Sequence, residues 1–182
     1  MALTVTTDLT LISDAEALDP AGEGIWVSYG AGGGGAQAIE PDFFVQGSNC
    51  ISRGVSGAVV KGSCFDIGVS NVIDFNSGTH IDKLVYIWLR TSTPGLCEIR
   101  ANGGIRVILG SGTVIPGDVA GVWSAWYVDG SDTIVATEGW TCYVIDPQST
   151  PSLTYGGGVD LNTVRYFGGV QRSTTTAKGQ NP

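Results

Sequence analysis

Short runs of β-branched and aromatic residues, separated by glycine and other turn residues, recur along most of this chain. No window of helical length keeps apolar residues at positions i, i+3, i+4 and i+7, so the sequence predicts neither helical layers nor βαβ units. The predicted strands are GIWVSYG, FFVQG, NCISRGV, AVVKGSCFDIGV, VIDFN, KLVYIWLRT, LCEIRAN, GIRVILG, AWYVDG, TIVAT, WTCYVID and VRYFGGV. Short strands at this spacing are typical of sandwiches and barrels. We therefore predict an all-β fold in which two antiparallel sheets pack as a β-sandwich.

One predicted strand, residues 83–91, is apolar on both of its faces. One face carries Leu84, Tyr86 and Trp88, and the other carries Val85, Ile87 and Leu89. Such a strand is expected to be central in one sheet, with the second sheet covering one of its faces. The other face needs a loop, the N-terminal segment or a neighbouring subunit as cover, and we expect cover from the same chain.

The chain is predicted to consist of an N-terminal strand or arm, residues 1–20, and one sandwich domain, residues 21–182. A length of 182 residues is sufficient for a single hydrophobic core. Apolar residues alternate in the arm, which predicts either a half-buried strand or a segment that packs on a neighbouring molecule. In the second case each buried side chain contributes about 1.5–3 kcal/mol to assembly. The assembly residues are then Leu3, Val5, Leu9 and Leu11.

The charge balance argues against two classes of partner. Nine basic and seventeen acidic residues give a formal net charge of −8. This charge repels nucleic-acid phosphates and anionic lipid. We therefore expect no nucleic acid and no membrane among the partners, and neutral or basic surfaces instead.

Residues that could carry catalysis are few and are not grouped. The single histidine, His80, lies in the polar turn FNSGTHID, and no predicted strand places two carboxylates on one face as a glycosidase requires. The cysteines lack the close pairs of a zinc site, so we expect reduced and mostly buried thiols at Cys50, Cys64, Cys97 and Cys142. We predict that the protein is not an enzyme and uses no cofactor.

Most acidic residues fall in predicted turns, where carboxylates are usually solvated. These residues are Asp66, Asp74, Asp82, Asp118, Asp129, Asp132, Asp146 and Asp160. Asp129, Ser131 and Asp132 could hold Ca²⁺ together with a backbone carbonyl, but the spacing of an EF-hand loop is absent. We therefore predict no metal site.

Aromatic residues in VWSAWYVDG and GWTCYVIDP leave two interpretations open. Trp123 and Tyr127 alternate with Trp126 along one strand, so at least one of these rings is expected to pack in the core. The alternative is a glycan-binding site formed by Trp123 or Trp126 together with Asp129 and Asp132. The sequence favours core packing over this platform.

The second half of the chain resembles a known domain. The ordered succession KLVYIWLRTS, GGIRVILGSG, WSAWYVDG, EGWTCYVIDP, TPS and LNTVRYFGG, ending in STTTAKGQNP, is similar to a jelly-roll domain found in large virion proteins of tailed bacteriophages. DFFVQGSNCISRGVSGAVVKG resembles the opening of these domains, so the resemblance covers residues 42–182. That jelly roll is similar to the concanavalin and laminin-G sandwiches.

The resemblance implies a structural protein of a bacteriophage virion, either a tail, fibre or head-decoration component. It implies no catalysis, assembly in the host cytoplasm, other virion proteins as partners and a homo-oligomer. In that family another strand, with an Ile-Asp-Ala-like pattern, follows the segment matched by KGQN. We therefore expect a neighbouring copy to complete an open sheet edge, or this chain to be part of a longer product. The alternative function is a carbohydrate-binding, lectin-like adhesin module that binds a surface glycan.

Overall fold

The computed structural model describes residues 24–29, 37–40, 50–53, 60–91, 105–127 and 139–172. Within these ranges the regular structure consists of ten β-strands and one short 3-10 helix, and no α-helix is present, so the prediction of an all-β fold is confirmed. The strands are β1 (Ile25–Tyr29), β2 (Gln37–Glu40), β3 (Cys50–Arg53), β4 (Val60–Asp66), β5 (Val85–Thr91), β6 (Ile105–Ser111), β7 (Val122–Tyr127), β8 (Gly139–Ile145), β9 (Leu153–Tyr155) and β10 (Val164–Arg172).

All strand pairs in the described ranges are antiparallel. The largest sheet has six strands in the order β1-β4-β10-β6-β7-β9, and two further sheets pair β2 with β3 and β5 with β8. Non-consecutive strands are neighbours in the six-stranded sheet, so residues far apart in sequence meet at its centre. The arrangement is consistent with the predicted β-sandwich.

The main hydrophobic core lies between the six-stranded sheet and the β5–β8 sheet. Its buried residues come from both sheets and from the segment after β4, and they are Phe65, Ile67, Phe75, Val85, Val107, Leu109, Trp126, Ile145, Val164 and Phe167. The two sheets approach closely where the side chain of Leu89 in β5 packs against Gly169 of β10. The inward positions of β5 and β8 therefore complete this core.

A second buried cluster lies on the opposite face of the six-stranded sheet. It consists of Tyr29, Cys64, Ile108, Trp123, Ala125, Tyr166 and Val170. Neighbouring residues of one strand thus belong to different clusters, as Trp123 and Trp126 of β7 do. Among the described residues, the six-stranded sheet has a buried cluster on each of its faces.

One predicted strand is not formed, and two short strands were not predicted. VIDFN makes only an isolated bridge between Ile73 and Val164. Immediately afterwards the side chain of Asp74 accepts hydrogen bonds from the backbone N–H groups of Asn76 and Ser77, at 2.8 and 3.0 Å. Such a turn ends strand pairing. The unpredicted strands are β2 and β9, which contain only four and three residues.

Several sequence-based predictions fall outside the described residues. They include the arm of residues 1–20 with Leu3, Val5, Leu9 and Leu11, and the strands FFVQG, LCEIRAN and TIVAT.

Candidate functional site

The outer face of the β5–β8 sheet carries four large apolar side chains that remain about half exposed. They are Leu84, Tyr86, Trp88 and Val144, with exposed fractions of 45, 52, 49 and 48%. Tyr86 lies directly opposite Val144 in the strand register, and Trp88 lies opposite Cys142. These residues form one continuous patch, which we call the outer face.

Strand alternation places these side chains on the outside. Val85 and Ile145, which pair with each other, point inward and are only 6 and 5% exposed. Their neighbours Leu84, Tyr86 and Val144 must therefore point away from the core. Within the described residues about half of each of these side chains is exposed. The N-terminal segment, one of the candidates for cover, lies outside the described residues, so the expectation that the same chain covers this side of β5 stays a prediction.

The centre of the outer face is uncharged, and its charged residues lie at the ends. Exposed Asp82 and Lys83 precede β5, and exposed Asp146 follows β8 at the same end of the sheet. Arg90 occupies a register position near the other end, opposite Trp140. Partial burial raises the pKa of the Cys142 thiol, so this central group stays protonated and neutral at neutral pH.

Trp123 and Trp126 do not form an exposed aromatic platform. Trp123 is 2% exposed, and its indole N–H donates to the carbonyl oxygens of Gly117 and Ala120 at 2.9 and 3.1 Å. Trp126 is 7% exposed and donates to the hydroxyl of Ser149 at 2.9 Å. Both rings pack in the two clusters, so a sugar ring cannot stack on either one.

The carboxylates Asp129 and Asp132, proposed as partners of these tryptophans, lie outside the described residues. The candidate Ca²⁺ ligand Ser131 also lies outside them. The described ranges contain no group of three or more His, Cys, Asp or Glu residues that could hold a metal ion.

Asp66 departs from the prediction that the acidic residues are solvated. It is 6% exposed and accepts two hydrogen bonds from the guanidinium of Arg165, at 2.6 and 2.7 Å. The same carboxylate accepts a hydrogen bond from the backbone N–H of Gly68 at 2.8 Å. A buried carboxylate requires such partners, and the ion pair joins the ends of β4 and β10.

Asp74 and Asp160 follow the prediction for turn carboxylates. Each is hydrogen-bonded within its own turn, Asp74 to Ser77 and Asn76 and Asp160 to Asn162 and Thr163. These bonds stabilise the charged form and hold the pKa of both carboxyl groups below the usual range. Their environment is explained by turn structure.

His80 lies in the 3-10 helix Gly78–His80, with its ring centroid 6.4 Å from that of Phe75. Cys64 is buried in the second cluster, as predicted, while Cys142 is a free thiol on the outer face with intermediate exposure. These positions bring together no nucleophile and base among the described residues.

A second exposed apolar region is the loop between β6 and β7. Val114, Ile115 and Val119 are 55, 41 and 79% exposed in this loop. Two of its backbone carbonyls accept hydrogen bonds from the indole N–H of Trp123, and the side chain of Asp118 accepts one from the hydroxyl of Tyr29 at 3.2 Å. Both anchors belong to the second cluster, so the loop lies on the side of the six-stranded sheet away from the outer face.

The sequence pattern of the two strands already indicated an apolar outer face. Residues 83–91 are apolar on both sides, and WTCYVID repeats this pattern in β8 with Val144. Periodicity identified both strands, but it could not show that they pair with each other.

The chain matches no protein-family model, and no curated protein is significantly similar to it in sequence. In the described ranges no helix is long and apolar enough to cross a membrane. The functional argument therefore depends on the residues themselves and on their geometry.

Proposed function

We propose that this protein is a structural component of a bacteriophage virion, with a jelly-roll sandwich that acts through protein–protein assembly. The single observation that carries the assembly role is the outer face, where four large apolar side chains are about half exposed. The bacteriophage context is supported by the resemblance of residues 42–182 to virion jelly-roll domains.

The composition of the outer face favours a protein partner. Interface centres are depleted in charged residues and enriched in aromatic ones, and Tyr and Trp are frequent binding hot spots. The outer face has Tyr86 and Trp88 at its centre and its charged residues at the ends. In a chain of net charge −8, an uncharged centre of this kind is a suitable surface for contact with another protein.

The exposed area supplies a driving force for assembly. Burying a whole Leu, Val or aromatic side chain stabilises a protein by about 1.5–3 kcal/mol. Covering the exposed half of each outer-face side chain therefore contributes about 1 kcal/mol per residue. Leu84, Tyr86, Trp88 and Val144 together contribute about 4 kcal/mol, which is part of the free energy that a complex through this face needs.

The proposal is tested by mass spectrometry of virus particles purified by density from the source of this sequence. We expect this chain to be present in a copy number comparable with that of other structural proteins of the particle. An abundant cytoplasmic protein of the host serves as the control for contamination. Absence of the chain from particles, with abundance in the soluble lysate, would refute the virion role.

A second candidate function is glycan binding, with the outer face as the binding site in place of Trp123 and Trp126. Trp123 and Trp126 are buried, but Tyr86 and Trp88 present half-exposed rings on the same face of β5. Ligand sites usually combine such rings with several placed polar groups. Leu84 and Val144 occupy the neighbouring positions instead, which favours the protein partner. Glycan binding that is lost in Trp88→Ala would support the second candidate.

A further inference from the structure

We propose that the partner on the outer face is a second copy of this chain, related to the first by a twofold axis across the β5–β8 sheet. This inference names the partner for the surface used in the proposed function, and it depends on that function only for the assembly role. Three features of the outer face support it: its place on a two-stranded sheet, its area and the distribution of charge at its ends.

The shape of the outer face fits another sheet. The face belongs to a two-stranded antiparallel sheet, with Tyr86 opposite Val144 and Trp88 opposite Cys142. Two sheets pack face to face at about 10 Å with their side chains interdigitated. A second β5–β8 sheet presents the same row of large apolar side chains, so it is a partner of matching chemistry.

The exposed apolar area of the outer face is about as large as the apolar centre of a protein–protein interface. The exposed halves of Leu84, Tyr86, Trp88 and Val144 amount to roughly 400 Å², since an aromatic side chain alone presents about 150–250 Å². A standard interface covers about 800 Å² on each partner. The four residues therefore supply about half of the area of such an interface, as its apolar centre.

The sequence and the strand register give the two ends of the β5–β8 sheet residues of opposite net charge. Asp82, Lys83 and Asp146 give one end a net negative charge, and Arg90 lies by register near the other end. A twofold axis that lies in the interface and runs perpendicular to the strands places the acidic end of one copy over the Arg90 end of the other. A twofold axis parallel to the strands would place like ends together, so the perpendicular axis is favoured.

This symmetry makes a specific prediction for the central pair. Trp88 is the middle residue of β5, Cys142 is the middle residue of β8, and the two lie opposite each other. An axis across the centre of the sheet therefore brings Trp88 close to Trp88 of the second copy. It also brings the two Cys142 thiols within reach of a short cross-linking reagent.

The first experiment measures the mass of the full chain by sedimentation over a wide range of concentration. We expect a dimer for the wild-type chain and at least a hundredfold weaker association for Trp88→Glu. The matched control is Val119→Glu, which introduces the same charge at a residue that is 79% exposed on the loop away from the outer face. Association of this control should be unchanged. A wild-type chain that stays monomeric at all concentrations would overturn the inference.

A charge-exchange experiment separates loss of contact from loss of folding. Trp88→Glu and Trp88→Lys chains should each be monomeric alone and should form a mixed dimer when combined, because the two residues meet near the axis. A misfolded variant would not recover on mixing. Failure of the mixture to associate, when both variants give the circular dichroism spectrum of the wild type, would overturn the twofold arrangement.

Cross-linking locates the contact. Treatment of the wild-type dimer with a short bis-maleimide, followed by peptide mapping, should yield a Cys142–Cys142 link. A dimer that links only through other cysteines would show that the chain associates through a different surface and would overturn this inference.

The outcomes also separate this inference from the virion role. A chain that is dimeric in solution but absent from purified particles leaves the dimer standing and refutes the virion role. A chain that is present in particles but monomeric in solution refutes the second copy as partner. A monomer whose binding to a glycan disappears in Trp88→Glu would assign the outer face to carbohydrate instead.

Discussion

Arg165 of β10 donates two parallel hydrogen bonds to Asp66 of β4, from Nε to Oδ1 at 2.6 Å and from Nη2 to Oδ2 at 2.7 Å. The two side chains are 99 residues apart in sequence and are only 15 and 8% exposed. A bidentate pair of this geometry fixes the relative position of two strands at one end of the sheet. Because the pair is largely buried, each charge has lost most of its contact with water and is stabilised by the opposite charge instead.

We expect Arg165→Met to lower the free energy of unfolding by about 3 kcal/mol, since it leaves the Asp66 carboxylate buried without its cation. The double variant Arg165→Met with Asp66→Leu should recover much of this loss, because the unpaired charge is also removed. Urea unfolding followed by tryptophan fluorescence gives both values. Equal losses in the single and double variants would show that the pair contributes through packing alone.

Two adjacent glycines of β10 provide a matched test of sheet packing. A Cβ atom added at Gly168 would lie 2.5 Å from the carbonyl oxygen of Ser63 and from Sγ of Cys64. The nearest atoms to a Cβ at Gly169 belong to the Leu89 side chain, which can move. We therefore expect Gly168→Ala to destabilise the fold by about 3 kcal/mol or more and Gly169→Ala by about 1 kcal/mol. Thermal unfolding of both variants measures the difference, and a larger effect at Gly169 would contradict this packing.

The same substitution at two tryptophans should have different effects on stability. Trp126→Ala removes a ring that is 7% exposed and hydrogen-bonded to Ser149, so we expect a loss of about 3–5 kcal/mol in the free energy of unfolding. Trp88→Ala removes a ring that is 49% exposed and should cost the isolated monomer about 1 kcal/mol. Denaturant unfolding at low protein concentration measures both. Comparable losses would indicate that Trp88 is a core residue and not part of a contact surface.

The hydroxyl group of Tyr29 should make the free energy of unfolding depend on pH in the alkaline range. Burial is the main cause that raises the pKa of its hydroxyl far above the usual value of 10.0, and the neighbouring charge of Asp118 adds to this effect. Because the folded state keeps the proton more strongly, this contribution to stability is fully present below about pH 10 and is lost as the pH rises above that value. Urea unfolding at increasing pH should show the decline, and Tyr29→Phe should show less of it. An identical decline in Tyr29→Phe would assign the effect to other groups.

The arm of residues 1–20 gives a prediction from the sequence alone. Deletion of residues 2–18 should weaken assembly while the sandwich domain stays folded, because the arm's alternating apolar residues are expected to pack on a neighbour. Sedimentation and circular dichroism of the shortened chain measure the two properties. Loss of the fold would instead place this segment in the core of its own domain.

Much of the strand content could be predicted because alternation is local. GIWVSYG, GIRVILG and VRYFGGV predicted β1, β6 and β10, since apolar residues two positions apart must share a face of a strand. The short strands β2 and β9 escaped prediction because three or four residues carry too little pattern. The sequence predicts a strand at VIDFN because its apolar residues alternate, yet the Asp74 turn ends the pairing after one bridge.

The sequence by itself determined the all-β class, the position of most described strands and the two-faced character of residues 83–91. The sequence also favoured packing of the tryptophans in the core, and the burial of Trp123 and Trp126 supports this interpretation. Only the tertiary structure decided which face of β5 meets the core and that Tyr86 and Trp88 lie on the exposed side. The physical reason is that alternation defines the two faces of a strand, whereas the cover over each face depends on strands that are distant in sequence.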